Sequence, residues 1–535
     1  MRKDARRAGP PFQRILVANR GEIALRILRA AREAGMETVA VFSDADSLSA
    51  HVRAADQAVR LGPAPSSESY LRADAIVEAA LRTGAQAVHP GYGFLAERAS
   101  FARAVEDAGL VFVGPSSSAI AALGDKLAAR RLAADVDVPA VPGTLEPAPV
   151  ERPDQVAAIL DVADGIGFPL LVKAAAGGGG RGMRRVERRE DLPAALSAGS
   201  AESASAFGDG SVYLEREIRP ARHIEVQLLG DKAGTVVALG ERDCSVQRRH
   251  QKLIEESPAP GLTRDERLSL HAMAVRLASS VGLSNAATAE FLFDADRRFW
   301  FLEVNTRLQV EHGVSELVSG VDIVREQFRL AAGMPLAADT VAAAARAADP
   351  ERHAIEVRLA AEDPARAFAP APGRIGRWLV PGGPGVRVDT AVEAGERVPP
   401  DYDPLIAKLM VVDGTREAAI ARLARALDEW EVSGIQTTLP FHRFVARDPS
   451  FAAGELSTEW VAEHWDPVVV AQRHAALEAA RRVAAEMVWG SVPAAAGARI
   501  AGAGTGRLAG GPDASGSIDG WRATARREAL GRWPR

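Results

Sequence analysis

Glu303, Asn305, Arg307, Gln309 and Glu311 stand at alternate positions of one segment, with Leu302, Val304, Leu308 and Val310 interleaved. If the chain stays extended, the polar set lines one face and the apolar set the other. A strand signal at 289–293 precedes it, joined by a turn at 295–298, and a symmetric hairpin would set Glu290 opposite Glu303. Two facing carboxylates repel. A hard cation between them reverses the sign, and Mg²⁺ shared between such a pair and nucleotide phosphates is the usual arrangement. The competing reading is a solvated strand face with one surface ion pair. The strongly apolar run around Glu303 favours burial.

Lys173 ends an apolar strand signal at 169–173 and runs into Gly177, Gly178, Gly179, Gly180, Arg181 and Gly182. Consecutive glycines let backbone N–H groups close over an anion without interference from Cβ atoms, and Lys173 adds a point charge. The loop is not a Walker A, because G-K-[ST] is missing. A bland flexible turn and a phosphate lid both fit, and the strand-end lysine favours the lid. Gln247, Arg248, Arg249, His250, Gln251 and Lys252 form a basic and amide run that suits an exposed loop as well as a binding edge. His89, in HPGYGF, reads as a structural histidine in a tight turn.

These groups need a scaffold. Residues 14–18 read as a strand, 19–21 as a turn, 22–34 as a helix stopped by Gly35, and 38–42 as a second strand. The rhythm repeats with a helix at 73–81, a strand at 85–88, a helix at 101–108 and a strand at 110–113, which predicts a parallel sheet flanked by helices. The first turn lacks G-x-G-x-x-G, so dinucleotide binding in the Rossmann manner is disfavoured. A Pro-punctuated stretch at 139–153 predicts a hinge. Strands and helices alternate from 212 to about 330, an Ala-rich linker is expected at 337–348, and a further α+β segment ends near Trp465. Helical composition at 471–487 and an Ala/Gly-rich linker at 494–516 follow.

The 535 residues carry 65 basic and 70 acidic groups, a net charge of −5, with no basic domain of the kind nucleic acid requires. The single cysteine, Cys244, excludes an intramolecular disulfide framework and a Cys/His zinc cluster. No apolar run of about 18 residues is present, so neither a membrane span nor a secretory signal is expected, and the cytoplasm is the natural compartment.

The motifs ILVANRGEIA, GPAPSSESYL, HPGYGFLAE, GDK at 124–126, GGGGRGM, ERDCSVQRRHQK, EVNTRLQVEH and Glu-Val-Arg at 356–358 together resemble the biotin carboxylase subunits and domains of acetyl-, propionyl- and methylcrotonyl-CoA carboxylases and of pyruvate carboxylase. The resemblance runs from about Phe12 to Trp465. It implies an α/β fold, α+β in part: a parallel-sheet pre-ATP-grasp domain at 12–125, an ATP-grasp domain at 126–335 with a lid at about 145–217, and a C-terminal domain at 336–465. Tails at 1–11 and 466–535 would lie outside these. The implied activity is ATP- and bicarbonate-dependent carboxylation of biotin through carboxyphosphate.

By the same resemblance Lys126, Lys173, Gly178, Gly179, Gly180, Met183, Glu215, Ile218, His223, Gln247 and His250 would bind ATP. Glu290, Glu303 and Asn305 would hold Mg²⁺ (or Mn²⁺), and Lys252, Arg307, Gln309, Val310 and Glu311 would hold bicarbonate. Glu311 would be the general base, with Lys252, Arg307 and Arg358 as catalytic partners and Arg307 and Arg358 meeting biotin. None of the seven methionines lies in a Met-Lys-Met biotinylation centre. Biotin is therefore expected on a carrier protein or domain, with a carboxyltransferase as second partner, in a homo-oligomer or larger complex.

Two departures stand out: Gly313 where the family usually has proline, and Arg216 where lysine is common. Gly313 is expected to loosen the loop that holds Glu311. Two other readings stand beside the biotin carboxylase one. The first is an ATP-grasp ligase joining an acyl-phosphate to an amine, which the lid and carboxylate pair would serve equally well and the Lys252, Arg307, Gln309, Glu311 and Arg358 set discriminates. The second is a catalytically weak docking scaffold, which the intact candidate set argues against.

Overall fold

The computed structural model describes residues 9–148, 153–175 and 183–468, and Val483. Gly178, Gly179 and Gly180 lie outside the described residues, as do residues 1–8 and all of the tail beyond 468 except Val483.

Ile15, Leu16 and Val17 have no exposed surface, as a central parallel strand covered on both faces requires. β1 (Arg14–Val17), β2 (Glu37–Ser43), β3 (Gln57–Gly62), β4 (Ala87–His89) and β5 (Val111–Phe112) form a parallel sheet in the order β3-β2-β1-β4-β5. The helix Gly21–Glu33 follows β1, completing the expected βαβ opening. Ala85 serves the end of the helix Ala73–Thr83 rather than β4: Gly84 turns left-handed and the Ala85 N–H donates to the Ala80 carbonyl at 2.9 Å. β3 is a half-exposed edge strand without clean alternation, and the sequence carried no signal for it.

β6 (Leu170–Ala174), β7 (Arg184–Val186) and β8 (Val212–Arg216) form a separate antiparallel sheet, in the order β7-β6-β8, with the helices Pro153–Ile166 and Leu192–Phe207. Leu170, Val172, Leu192, Leu196, Val212 and Leu214 give this lid a small core of its own. The predicted hinge is pinned at two points, where Ala140 bridges Phe301 and Gly143 bridges Glu215. Glycine is required at 143, because a Cβ would collide with the Leu214 carbonyl.

The main sheet holds eight strands: β9 (Ala221–Gly230), β10 (Val236–Arg248), β11 (Gln251–Ser257), β12 (Asn285–Asp294), β13 (Phe299–Asn305), β14 (His353–Ala360), and the strands Val386–Thr390 and Leu405–Asp413. Their order is β13-β12-β9-β10-β11-β14, then Leu405–Asp413 and Val386–Thr390. β11 pairs directly with β14, so the sheet crosses from the central segment of the chain into the C-terminal one.

Two expectations need correction. The Ala-rich stretch at 337–348 is not an open linker but carries the helix Ala338–Ala345, consistent with alanine's helix propensity and the burial of Thr340 and Ala343. The polar alternation from Glu303 to Glu311 does not stay extended: β13 ends at Asn305 and Glu311 is the N-cap of the helix His312–Ser319. Among the described residues no helix is long and apolar enough to cross a membrane.

Candidate active site

The β12–β13 hairpin has the predicted register, with Glu290 opposite Glu303. Glu290 is buried, whereas the Glu303 side chain keeps 33% of its surface exposed, less covered than its apolar run suggests. β9 lies on the other side of β12 and sets Glu225 opposite Glu290, while β10 sets Arg242 opposite Glu225. Side chains at paired positions share a face, so this register alone gathers several charges.

Lys252 on β11 reaches into the gathering. Its Nζ donates to Glu225 Oε2 at 2.6 Å, Glu311 Oε1 at 2.7 Å and Glu290 Oε1 at 3.0 Å. Arg358 on β14 takes the other Glu311 oxygen at 2.9 Å, with its Nε on Glu255 at 2.5 Å. Arg242, fully buried, donates to Glu225 at 2.5 Å, Gln227 and Ser315 at 2.8 Å, and Thr288 at 3.2 Å. Burial would push the Glu311 carboxyl up, but Lys252, Arg358 and Arg242 outweigh it and hold it well below the carboxylate range. Burial likewise opposes the charge on Lys252, yet Glu225, Glu290 and Glu311 hold its pKa well above the usual value. Glu311 and Lys252 are therefore both charged at neutral pH.

Although the chain turns after Asn305, the predicted set still converges through side-chain contacts. Arg307 donates to Gln309 Oε1 at 2.6 Å and Asn305 Oδ1 at 2.9 Å, and lies 3.0 Å from Glu97. Asn305 and Gln309 donate to Glu290 at 2.8 and 3.1 Å. His223 Nε2 lies 2.9 Å from Glu290. The Val310 carbonyl accepts from Lys408 at 2.7 Å, which ties the turn before Glu311 to the strand Leu405–Asp413.

The remaining predicted residues lie toward the lid. Lys173 pairs with Glu215, which also accepts from Arg130 at 2.6 Å and from the Tyr213 hydroxyl at 3.3 Å. Lys126, at the start of the helix Lys126–Asp135, lies 3.5 Å from Glu303. Gln247, buried on β10, faces Lys252 across the strand pair. Arg249 and His250 make a two-residue hairpin turn with φ of 50° and 66°. The QRRHQK run is thus a strand–turn–strand in which Gln247 is buried while Arg249, His250 and Gln251 stay exposed. Burial lowers the pKa of His250, and the charges of Lys173 and His223 add to that, which puts the imidazole in their neighbourhood. Ile218, just past β8, and Met183 are half-buried.

Glu290, Glu303 and Asn305 offer hard oxygen donors on facing strands, with Lys126 3.5 Å from Glu303, a donor set that fits Mg²⁺. Arg216 stacks over Trp300 at 5.8 Å. The expectation of a loosened loop at Gly313 meets a counterweight: a Cβ there would collide with Met410 Sδ, so Met410 fills the space a side chain would take.

The chain matches the description "Biotin carboxylase, N-terminal domain" over residues 11–120, "Carbamoyl-phosphate synthase L chain, ATP binding domain" over 125–339 and "Biotin carboxylase C-terminal domain" over 356–463. Biotin carboxylase 1 of Bacillus subtilis is 45% identical over 451 residues, covering 84% of this chain and 98% of that protein. The chain belongs to the biotin carboxylase family. The biotin-dependent acyl-coenzyme A carboxylase alpha3 subunit of Mycobacterium leprae is 45% identical over 471 residues, 87% of this chain and 77% of that one. Among solved structures, the biotin carboxylase domain of Hydrogenobacter thermophilus 2-oxoglutarate carboxylase, in complex with MgADP, ADP and bicarbonate, matches with TM-score 0.80 and 42% identity, covering 85% of this chain and 98% of that one.

Several groups that contact the predicted residues escaped the sequence reading: Glu225, Arg242, Glu255, Lys408 and Arg130. One signal was available. His223, Glu225 and Gln227 alternate with Ile224, Val226 and Leu228, the same pattern that drew attention to Glu303 and Asn305.

Proposed function

We propose that the Lys252–Glu311–Arg358 centre activates bicarbonate and receives biotin, while Lys126 and Lys173 receive the ATP phosphates. The chain is a biotin carboxylase, a ligase that carboxylates biotin at the expense of ATP. The observation that carries the residue roles is the shared carboxylate of Glu311, gripped by Lys252 on one oxygen and Arg358 on the other.

In this reading Lys252, Arg307 and Gln309, with the backbone at Val310, hold bicarbonate, and Glu311, kept ionised, accepts its proton. The freed oxygen attacks the γ-phosphorus, giving carboxyphosphate and ADP. Carboxyphosphate breaks to CO₂ and phosphate, and the phosphate takes the proton from the biotin ureido nitrogen. The biotin enolate is stabilised by Arg358, whose planar, permanently charged donors suit a developing oxyanion, and its nitrogen closes on CO₂. Glu290, Glu303 and Asn305 would hold Mg²⁺, which supplies neutralisation of phosphate charge during transfer. His223, His250, Glu215, Gln247, Ile218 and Met183 would line the adenosine end.

Biotin arrives on a carrier protein or domain, and the carboxyl group leaves to a carboxyltransferase, within a cytoplasmic acyl-CoA carboxylase assembly. The naming of an acyl-CoA carboxylase subunit among the relatives supports this. The test is ADP formation by the purified chain with bicarbonate, with and without free biotin. Biotin should stimulate it. Strong stimulation by an amine and none by biotin would replace this reading with the amide-forming ligase.

A further inference from the structure

Glu356 on β14 is fully buried, and neither of its carboxyl oxygens accepts a hydrogen bond from the protein. The register sets it directly opposite Glu255 of β11, another fully buried acid with one unpartnered oxygen. The neighbouring cations are committed elsewhere. Arg358, two residues along the same face, gives its guanidinium to Glu255 and Glu311. Lys408 gives its ammonium to the Val310 carbonyl at 2.7 Å and lies 3.2 Å from Glu22. Met410 faces Glu356 from the other neighbouring strand, and Gly313 brings no polar side chain, its Cβ position lying 3.4 Å from Glu356 Oε2. The Tyr92 hydroxyl is taken by Glu22, and His312 Nδ1 lies 2.7 Å from the Gln309 carbonyl. A buried carboxylate with no donor is far more costly than the neutral acid.

We propose that Glu356 is held as a neutral carboxylic acid and sets the charge balance around Arg358, whose guanidinium then faces only the two acids it already binds, Glu255 and Glu311, with no third negative charge beside them. A third negative charge would offset the positive field in which the biotin oxyanion forms and would raise the proton affinity of Glu311. Burial pushes the Glu356 carboxyl well above its ordinary range, and Glu255 and Glu311 add to that against Lys408 and Arg358. The functional half of the proposal rests on the reading of Arg358 as the group that meets biotin.

Infrared difference spectra of the full chain, with isotope-labelled glutamate, decide the protonation state. At about pH 9, where Glu255 is ionised, a carboxylic-acid carbonyl band should be present in the wild type and missing from Glu356→Gln. No such band in the wild type, or a band that survives in Glu356→Gln, overturns the proposal. Glu356→Gln copies the neutral acid, so its kcat for biotin carboxylation should stay within about threefold and its pH profile should superimpose on the wild type. A shift of the acidic limb by about one pH unit or more would mean that a negative charge had been removed, and would overturn it too. If Glu356→Gln does not fold, Glu356→Leu serves in the same comparison. An Arg358→Gln variant that still carboxylates biotin would sink the role given to Arg358 without touching the infrared band, so the two failures are distinguishable.

Discussion

At the scale of single residues, Glu311 is the group on which the proposed chemistry turns. It is fully buried, ionised, and held by two cations that bicarbonate and biotin also need. Glu311→Gln keeps the volume and removes the base, so biotin carboxylation should fall by about 10²–10⁴-fold. Nucleotide affinity, measured by ADP titration, should stay within several-fold, because Lys126 and Lys173 are untouched; loss of nucleotide binding with carboxylation surviving would contradict the role. Gly313 poses the opposite problem, of space rather than charge. Met410 Sδ occupies the place of a Cβ, so Gly313→Ala should cost about 1–3 kcal/mol of stability by overpacking. It should also lower kcat by displacing the turn before Glu311. The double variant Gly313→Ala/Met410→Ala should recover most of the overpacking loss in urea melts; a strictly additive pair would show that the two residues do not share that space.

Elements were legible where one periodicity ruled. The βαβ opening, the lid strand β6 and the β12–β13 hairpin announce themselves through apolar runs and turn residues, and even the pairing of Glu290 with Glu303 followed from hairpin symmetry. What failed was continuity. Nothing local says that the chain leaves β13 at Asn305, because Thr306 to Val310 keeps strand-like alternation while the helix His312–Ser319 imposes the turn. Long-range register is also silent in a single segment: Glu225, Lys252 and Arg358 gather because β9, β10, β11 and β14 lie side by side, a fact of the eight-stranded order. Arg130 illustrates the same gap. It sits unremarked in a basic helix, yet it is 1% exposed and joins that helix to the lid through Glu215 and to the hinge through the Val141 carbonyl at 2.6 Å. Arg130→Leu strips a buried carboxylate of one partner and should lower the unfolding free energy by about 3–5 kcal/mol. Arg131 next door pairs with Glu146 at the surface, and Arg131→Ala should cost under about 1 kcal/mol. Equal losses in urea melts would refute this contrast.

Across the whole molecule the buried polar groups couple stability to pH with opposing signs. Glu255 is pushed up to about 7, chiefly by burial, so it binds a proton more readily folded than unfolded and favours folding as pH falls from about 7 toward 4.5. Buried histidines act the other way. His51 and His442 are held at about 4 and His89 at about 3, each chiefly by burial. His89 joins the N-terminal sheet to the central body: the Gly91 N–H donates to its Nδ1 at 3.0 Å, and its Nε2 faces Gln327 at 3.2 Å. The ring is therefore neutral when folded and takes up a proton only on unfolding, once pH drops below the ordinary value of about 6.5. The unfolded state then binds more protons, so stability contributed by His89 falls as pH falls between about 6.5 and 3. Because other groups titrate in the same range, the comparison must be between wild type and variant at each pH. His89→Gln removes the titration while keeping a hydrogen-bonding side chain, so its destabilisation at about pH 7 should shrink by about 1 kcal/mol at about pH 5.5. Urea melts of both proteins at the two pH values measure this directly, and a penalty that stays constant or grows on acidification would show that His89 is already protonated in the folded protein.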